Sequence, residues 1–250
     1  MNERASESRD IRVYDDLAAL SSAAAAEFAE IAARASAARG RFTVALTGGS
    51  TPERAYRLLA SPPLHDSVPW SHTHIFFGDE RCVPPDSPES NFGMANRTIL
   101  GMLGDVGGIY RMEGELPDHD EAARRYEAEI ARVFELSPGG LPVFDLVLLG
   151  MGPDGHCASL FPHKPALNVT DRIAVATAPG LKPFVDRVTL TFPVLNNAEN
   201  VLFMVAGAEK AAALGRVLDG PPDPDGLPSQ RIRPTSGRLV WLVDRTAMRG

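Results

Sequence analysis

The chain has 250 residues, enough for one large or two small domains and a sizeable core. It is 44% hydrophobic and 23% charged, and no apolar run approaches the roughly 20 residues a membrane helix needs. A net charge of −7 argues against a general nucleic-acid surface, which needs basic groups for phosphates, but leaves room for one small anion held by a few local cations.

Two cysteines, Cys82 and Cys157, are too few for a disulfide framework. No C-x-x-C or H-E-x-x-H pattern suggests a metal. The first ten residues are polar, lack a signal-peptide core and read as a flexible tail on a single domain spanning 1–250. The expected compartment is the cytoplasm, and the expected state a monomer.

Residues 15–39 read as a first helix, with Leu17, Leu20, Ala24, Phe28 and Ile31 on one face and Gly40 as its stop. A strand at 41–46 runs into Thr47-Gly48-Gly49-Ser50-Thr51-Pro52-Glu53. Ser or Thr before Pro52 is expected to cap a helix over 52–60, with Glu53 as a capping-box partner. A glycine turn between a strand and a helix N-terminus suits an anion, because backbone N–H groups and the helix dipole converge there.

A second strand over 74–77 ends in Gly78-Asp79-Glu80-Arg81, three charges that form either a solvated turn or a functional cluster. A loop to Asn91 leads to a helix over 94–103, and Asp118 starts another whose apolar face carries Ala122, Tyr126, Ile130, Val133 and Phe134. The apolar run 146–149 then delivers Gly150-Met151-Gly152-Pro153-Asp154-Gly155-His156. Further strands are expected over 172–176, 186–191, 200–205 and 239–243, with a helix from Lys210 to Leu218. Strands alternating with helices predict an α/β fold, an open, mainly parallel sheet with helices on both faces and room for a small subdomain.

Four polar segments follow strands, at 48–51, 78–81, 150–156 and 207–210. The carboxyl ends of parallel strands share one edge, so these loops can meet around one ligand. Residues 150–155 match G-x-G-x-x-G, but Pro162 and Pro165 leave little room for the long helix of a dinucleotide site, and no acid closes the next strand. The glycines are better read as turn formers presenting His156, which can accept and return a proton near neutral pH. Arg81 offers fixed charge for an oxyanion, and Lys210 suits a phosphate. G-x-S-x-G is absent, which argues against a serine nucleophile.

Six ordered blocks carry a family resemblance: A-L-T-G-G-S-T-P at 45–52, F-G-D-E-R-C-V-P-P at 77–85, S-N-F-G-M at 90–94, L-G-M-G-P-D-G-H-C-A-S-L-F-P at 149–162, R-V-T-L-T-F-P at 187–193 and A-G-A-E-K at 206–210. Together they cover about 12–245 and resemble the 6-phosphogluconolactonase family. The resemblance implies a modified Rossmann-like fold shared with glucosamine-6-phosphate deaminases and ribose-5-phosphate isomerases. It implies hydrolysis of 6-phospho-D-glucono-1,5-lactone, in the oxidative pentose phosphate pathway, without metal or organic cofactor.

On that reading His156 is general base and then acid, and Arg81 stabilises the oxyanion. Asp79 or Asp154 orients Arg81, His156 or the sugar hydroxyls. Gly48, Gly49, Ser50, Thr51, Lys210 and Arg187 hold the 6-phosphate, with Asn91 also among the substrate contacts. Cys157 stands where the family commonly has Thr and puts a thiol near the site, where oxidation would matter. Two rivals remain: a sugar-phosphate deaminase or isomerase, whose Asn-Glu-Pro pattern after the histidine is replaced here by Ala158-Ser159-Leu160-Phe161-Pro162, and a non-catalytic sugar-phosphate sensor, which would need a DNA-binding segment not seen here.

Overall fold

A computed structural model describes residues 10–249. The order of elements is β1 (Asp10–Tyr14), α1 (Leu17–Arg39), β2 (Phe42–Leu46), α2 (Ser50–Leu59), α3 (Leu64–Ser67), β3 (Thr73–Phe77), β4 (Asp79–Arg81), α4 (Asn91–Thr98), β5 (Gly108–Ile109) and α5 (His119–Val133). It continues through β6 (Leu146–Gly150), β7 (Ala174–Thr177), β8 (Arg187–Leu190), α6 (Phe192–Leu195), β9 (Asn200–Val205), α7 (Ala211–Asp219), β10 (Arg238–Asp244) and α8 (Arg245–Met248).

Seven strands form one parallel sheet in the order β1-β10-β9-β6-β2-β3-β5. From β2 the chain builds outward through β3 and β5, and from β6 it builds the other way. The join of β2 and β6 is therefore the switch point, where a crevice opens at the carboxyl edge. The central strands are apolar throughout because both faces are covered. Val44, Leu46, Leu146, Leu148, Leu202 and Met204 face the helices α1 and α2, while Ala45, Val147, Leu149, Val201, Phe203 and Val205 face α5 and α7. The alternation is the period-2 pleat of a strand.

Three strands depart from the expected sheet. Residues 174–177 and 187–190 are strands as expected, but they pair antiparallel with each other and with β4 in a second sheet, β4-β8-β7. The charged 79–81 segment is thus a strand and not a turn. Ala174, Val188 and Leu190 share an apolar cluster with Val147 and Phe203, so the small sheet packs on the large one.

The N-terminal expectation needs correction at its last residue. Asp10 opens β1, an edge strand anchored where Arg12 pairs with Asp10 and with Glu27 of α1. Residues 1–9, the rest of the expected tail, lie outside the described residues. Helix starts also move. α2 begins at Ser50 with no side-chain cap on its Gly49 end, and Glu53 pairs instead with Arg57 one turn on. α4 begins at Asn91, because Ser90 Oγ accepts the Gly93 N–H and Glu80 accepts those of Asn91 and Phe92. The Asp118 cap forms as expected, accepting the Glu121 N–H at 3.0 Å.

The amino edge is tied by Asp145, only 4% exposed. Its carboxylate accepts the Thr43 N–H at 2.6 Å and the Thr43 hydroxyl at 2.8 Å, and pairs with Arg39 at the end of α1. Replacing Asp145 with Ala leaves the buried Thr43 donors unmet, and should lower stability by about 1–3 kcal/mol in denaturant unfolding.

Candidate active site

The carboxyl edge at the switch point holds a cavity of about 320 Å³. Its walls come from the turn after β2, from β4, from the start of α4, from the loop after β6, from the β7–β8 loop with Arg187, and from the end of β9 through Lys210. The four loops expected to converge do so.

His156 is brought in by a tight loop. The Gly152 N–H donates to the His156 carbonyl at 2.9 Å, and the Gly155 N–H to the Gly152 carbonyl at 3.0 Å. Gly155 sits at φ +81°, in the left-handed region where a Cβ is strained. Gly152 is required by space, since a Cβ there would lie 2.0 Å from His156 Nδ1 and 2.6 Å from Asp154 Oδ1. Those two atoms are themselves 2.6 Å apart. Burial raises the Asp154 carboxyl, but the hydrogen bond and charge of His156 outweigh it and hold the pKa below the ordinary aspartate value. Asp154 is therefore an acceptor at neutral pH. When the imidazole is neutral, this contact selects the Nδ1–H tautomer, which puts the lone pair on Nε2. On the other side, the Phe161 ring lies 4.4 Å from the imidazole.

Arg81 and Arg187 are register partners across the antiparallel β4–β8 pair. Two like charges directly opposite are unfavourable unless something anionic lies between or beside them. Neither forms an ion pair with a carboxylate among the described residues; Arg81 Nη1 donates to the Glu89 carbonyl at 2.6 Å and Arg187 Nη2 to the Pro183 carbonyl at 2.8 Å. Both Nε atoms are buried without a partner. Burial first, and Arg81 second, lower the Arg187 pKa, with Asp79 pulling the other way. The pair is a donor array awaiting an anion.

Of the residues expected at the site, Gly48, Gly49, Ser50, Thr51, Asp79, Arg81, Asn91, His156, Arg187 and Lys210 line the cavity. Asp154 stands behind His156. Asp79 orients neither Arg81 nor His156 by a hydrogen bond: its carboxylate accepts from Ser159 Oγ at 2.6 Å and Asn91 Nδ2 at 3.2 Å. Asn91 also gives an amide proton to the Asp79 carbonyl at 2.9 Å, so both its protons are spent within the protein. A Cβ on Gly48 would fall 1.8 Å from Asn91 Oδ1, which explains the first glycine of the turn.

Sequence reading missed Lys182, Ser159 and Phe161 in the wall and placed Glu209 there only as part of the 207–210 segment. Ser159 and Phe161 sat inside a quoted motif three and five residues past His156, so their place was readable in principle. It also missed Glu80, 3% exposed, which takes the Arg81, Asn91 and Phe92 N–H groups and the Ser90 hydroxyl. The thiol of Cys157 does not bear on the site as expected: it is fully buried, outside the cavity wall, and burial pushes its pKa up to about 12. A protonated, enclosed thiol resists oxidation.

The family model for glucosamine-6-phosphate isomerases/6-phosphogluconolactonase matches residues 15–241. The chain belongs to this family. A 6-phosphogluconolactonase of Synechocystis sp. is 43% identical over 216 residues, covering 86% of each chain. The solved 6-phosphogluconolactonase of Trypanosoma brucei is 29% identical, covers 96% of this chain and 97% of its own, and superposes with a TM-score of 0.85. A monomeric glucosamine-6-phosphate deaminase, at 17% identity and a TM-score of 0.76, shares the fold.

The lowered Asp154 pKa has a consequence for stability. A carboxyl lower in the folded than the unfolded state stabilises above its unfolded value, and that contribution fades as pH falls through the folded value. Asp154→Asn should therefore flatten the acid limb of the stability curve below about pH 5, where an ordinary aspartate begins to protonate. Denaturant midpoints across that range measure it, and parallel curves for the two proteins would contradict it.

Proposed function

We propose that this chain hydrolyses 6-phospho-D-glucono-1,5-lactone to 6-phospho-D-gluconate. The observation that carries the reading is the Asp154–His156 pair facing a cavity that also holds the unpaired Arg81 and Arg187. General-base attack on a phosphorylated lactone is served by an imidazole beside a cationic pocket, and Asp154 keeps the base in the required tautomer.

His156 Nε2 takes a proton from water as the water oxygen attacks the lactone carbonyl carbon. The carbonyl electrons move onto oxygen, and Arg81 stabilises that oxyanion. When the tetrahedral intermediate collapses, the C1–ring oxygen bond breaks. The imidazolium returns its proton to the departing ring oxygen, and the carboxylic acid formed ionises in water. The open N-terminus of α2, with Gly48, Gly49, Ser50 and Thr51, receives the 6-phosphate together with Arg187 and Lys210. Asp79, held by Ser159 and Asn91, keeps a negative charge near the two guanidiniums so that they can be buried. Asn91 acts through Asp79.

A single-domain monomer acting on a small-molecule substrate is part of the same proposal, and a cavity of about 320 Å³ suits such a substrate. Two free thiols suit the reducing cytoplasm, our proposed compartment. No helix among the described residues is long and apolar enough to cross a membrane.

Hydrolysis of freshly generated lactone, corrected for its spontaneous opening, tests the assignment. His156→Ala should lower kcat by about 10²–10⁴-fold, the usual weight of a general base; wild-type turnover in that variant would sink it. Lys210→Ala should raise KM more than it lowers kcat, as expected for a group that binds the phosphate equally in ground and transition states. The reverse pattern would move Lys210 to the chemistry.

A further inference from the structure

The inference below rests on the anion turn of the proposed function. Thr47 enters that turn and is 6% exposed. The register of β2 with β3 ends one residue earlier, at Leu46 and Phe77, so the Thr47 N–H and C=O have no strand partner. One atom serves both: Tyr56 Oη accepts the Thr47 N–H at 3.0 Å and donates to the Thr47 carbonyl at 2.8 Å. Tyr56 lies in α2 and is fully buried, and burial pushes its pKa upward, so the hydroxyl keeps the proton it donates. The hydroxyl thus joins the second turn of α2 back to the residue before Gly48 and closes the 47–56 segment into a ring.

The same device recurs next door, where Tyr126 of α5 bonds both the N–H and C=O of Phe77, each at 2.8 Å. Tyr126 covers the last residue of β3 and Tyr56 the residue just past the end of β2, each where its chain leaves the ladder for the pocket. A turn holding Gly48 and Gly49, the second at φ +109°, has much backbone freedom to lose. If a ligand had to order it, that cost would appear as weaker affinity.

We propose that Tyr56 is a positioning residue for the anion turn: its hydroxyl, clasping both backbone groups of Thr47, holds 48–51 so that the N-terminus of α2 stays aimed at the substrate's phosphate. Tyr56 does not line the cavity and acts only through Thr47.

Inorganic phosphate titrated into the wild type and into Tyr56→Phe, which removes one oxygen, tests this. The Kd should weaken about 2–10-fold, the equivalent of one hydrogen bond. KM for the phosphorylated lactone should rise by the same factor with kcat unchanged. Asp145→Ala, which loosens the opposite edge of the sheet, should leave the phosphate Kd at the wild-type value. An unchanged Kd in Tyr56→Phe overturns the proposal, as does an equal loss in Asp145→Ala, which would mean general loosening.

Hydrogen exchange in the wild type gives a second measurement that needs no variant to fold. If opening the clasp disables the turn, saturating phosphate must slow exchange of the Thr47 amide; exchange indifferent to phosphate overturns the clasp. A wild type that binds no phosphate overturns it together with the anion turn. A wild type that binds phosphate but hydrolyses no lactone sinks the functional reading alone.

Discussion

The 2.6 Å contact between Asp154 and His156 Nδ1 is the interaction on which the chemistry depends. Without it, the imidazole could present either nitrogen to the cavity, and beside two arginines it would have no fixed role. With it, Nε2 is the base. The contact exists because Gly152 has no side chain and because Gly155 can turn at positive φ. Both glycines follow β6, an interior strand at the switch point, so the loop is carried by one of the most rigid parts of the sheet. A base so placed needs little reorganisation when the reaction occurs.

The cations are arranged by a second constraint. Arg81 and Arg187 are brought face to face by the pairing of β4 with β8, a contact between segments more than a hundred residues apart. Such an arrangement costs free energy through burial and mutual repulsion, and part of the cost is offset by Asp79. The remainder is recovered when an anion enters. The site thereby accounts for how a chain of net charge −7 can bind a phosphorylated ligand: four cationic side chains, Arg81, Arg187, Lys182 and Lys210, line one cavity.

Much of this was legible in the chain. Unbroken apolar runs marked the central strands, the 3.6-residue repeat marked α1 and α5, and glycines after strands marked where the loops turn. Convergence of four loops followed from the parallel topology alone. The second sheet was not legible as such, because an antiparallel strand of four residues has the same pattern as a short parallel one. Nor was the burial of Glu80: three consecutive charges normally mean solvent, and only the three donors at the start of α4, with the Arg81 N–H, explain an acid that is 3% exposed. Helix starts shifted for a related reason. Glu80, eleven residues upstream, joins the N-cap Ser90 in holding the start of α4, and α2 opens on Gly49 with its first turn facing the cavity where a hydroxyl cap was expected.

Taken alone, the sequence determined the fold class, the family and the residues that gather at the carboxyl edge, because periodicity, turn chemistry and ordered motifs are local properties of the chain. It left the division of labour among Asp79, Asp154 and Asn91 open. Tertiary structure decided that Asp154 serves His156, while Asp79 is held by Ser159 and Asn91. It also decided that Tyr56 closes the anion turn and that Cys157 lies shut in the core. Each of these is a partnership whose distance and burial are set by how layers pack. A side chain's chemistry is written in its residue type, but the partner it finds depends on what the fold places within about 3 Å of it.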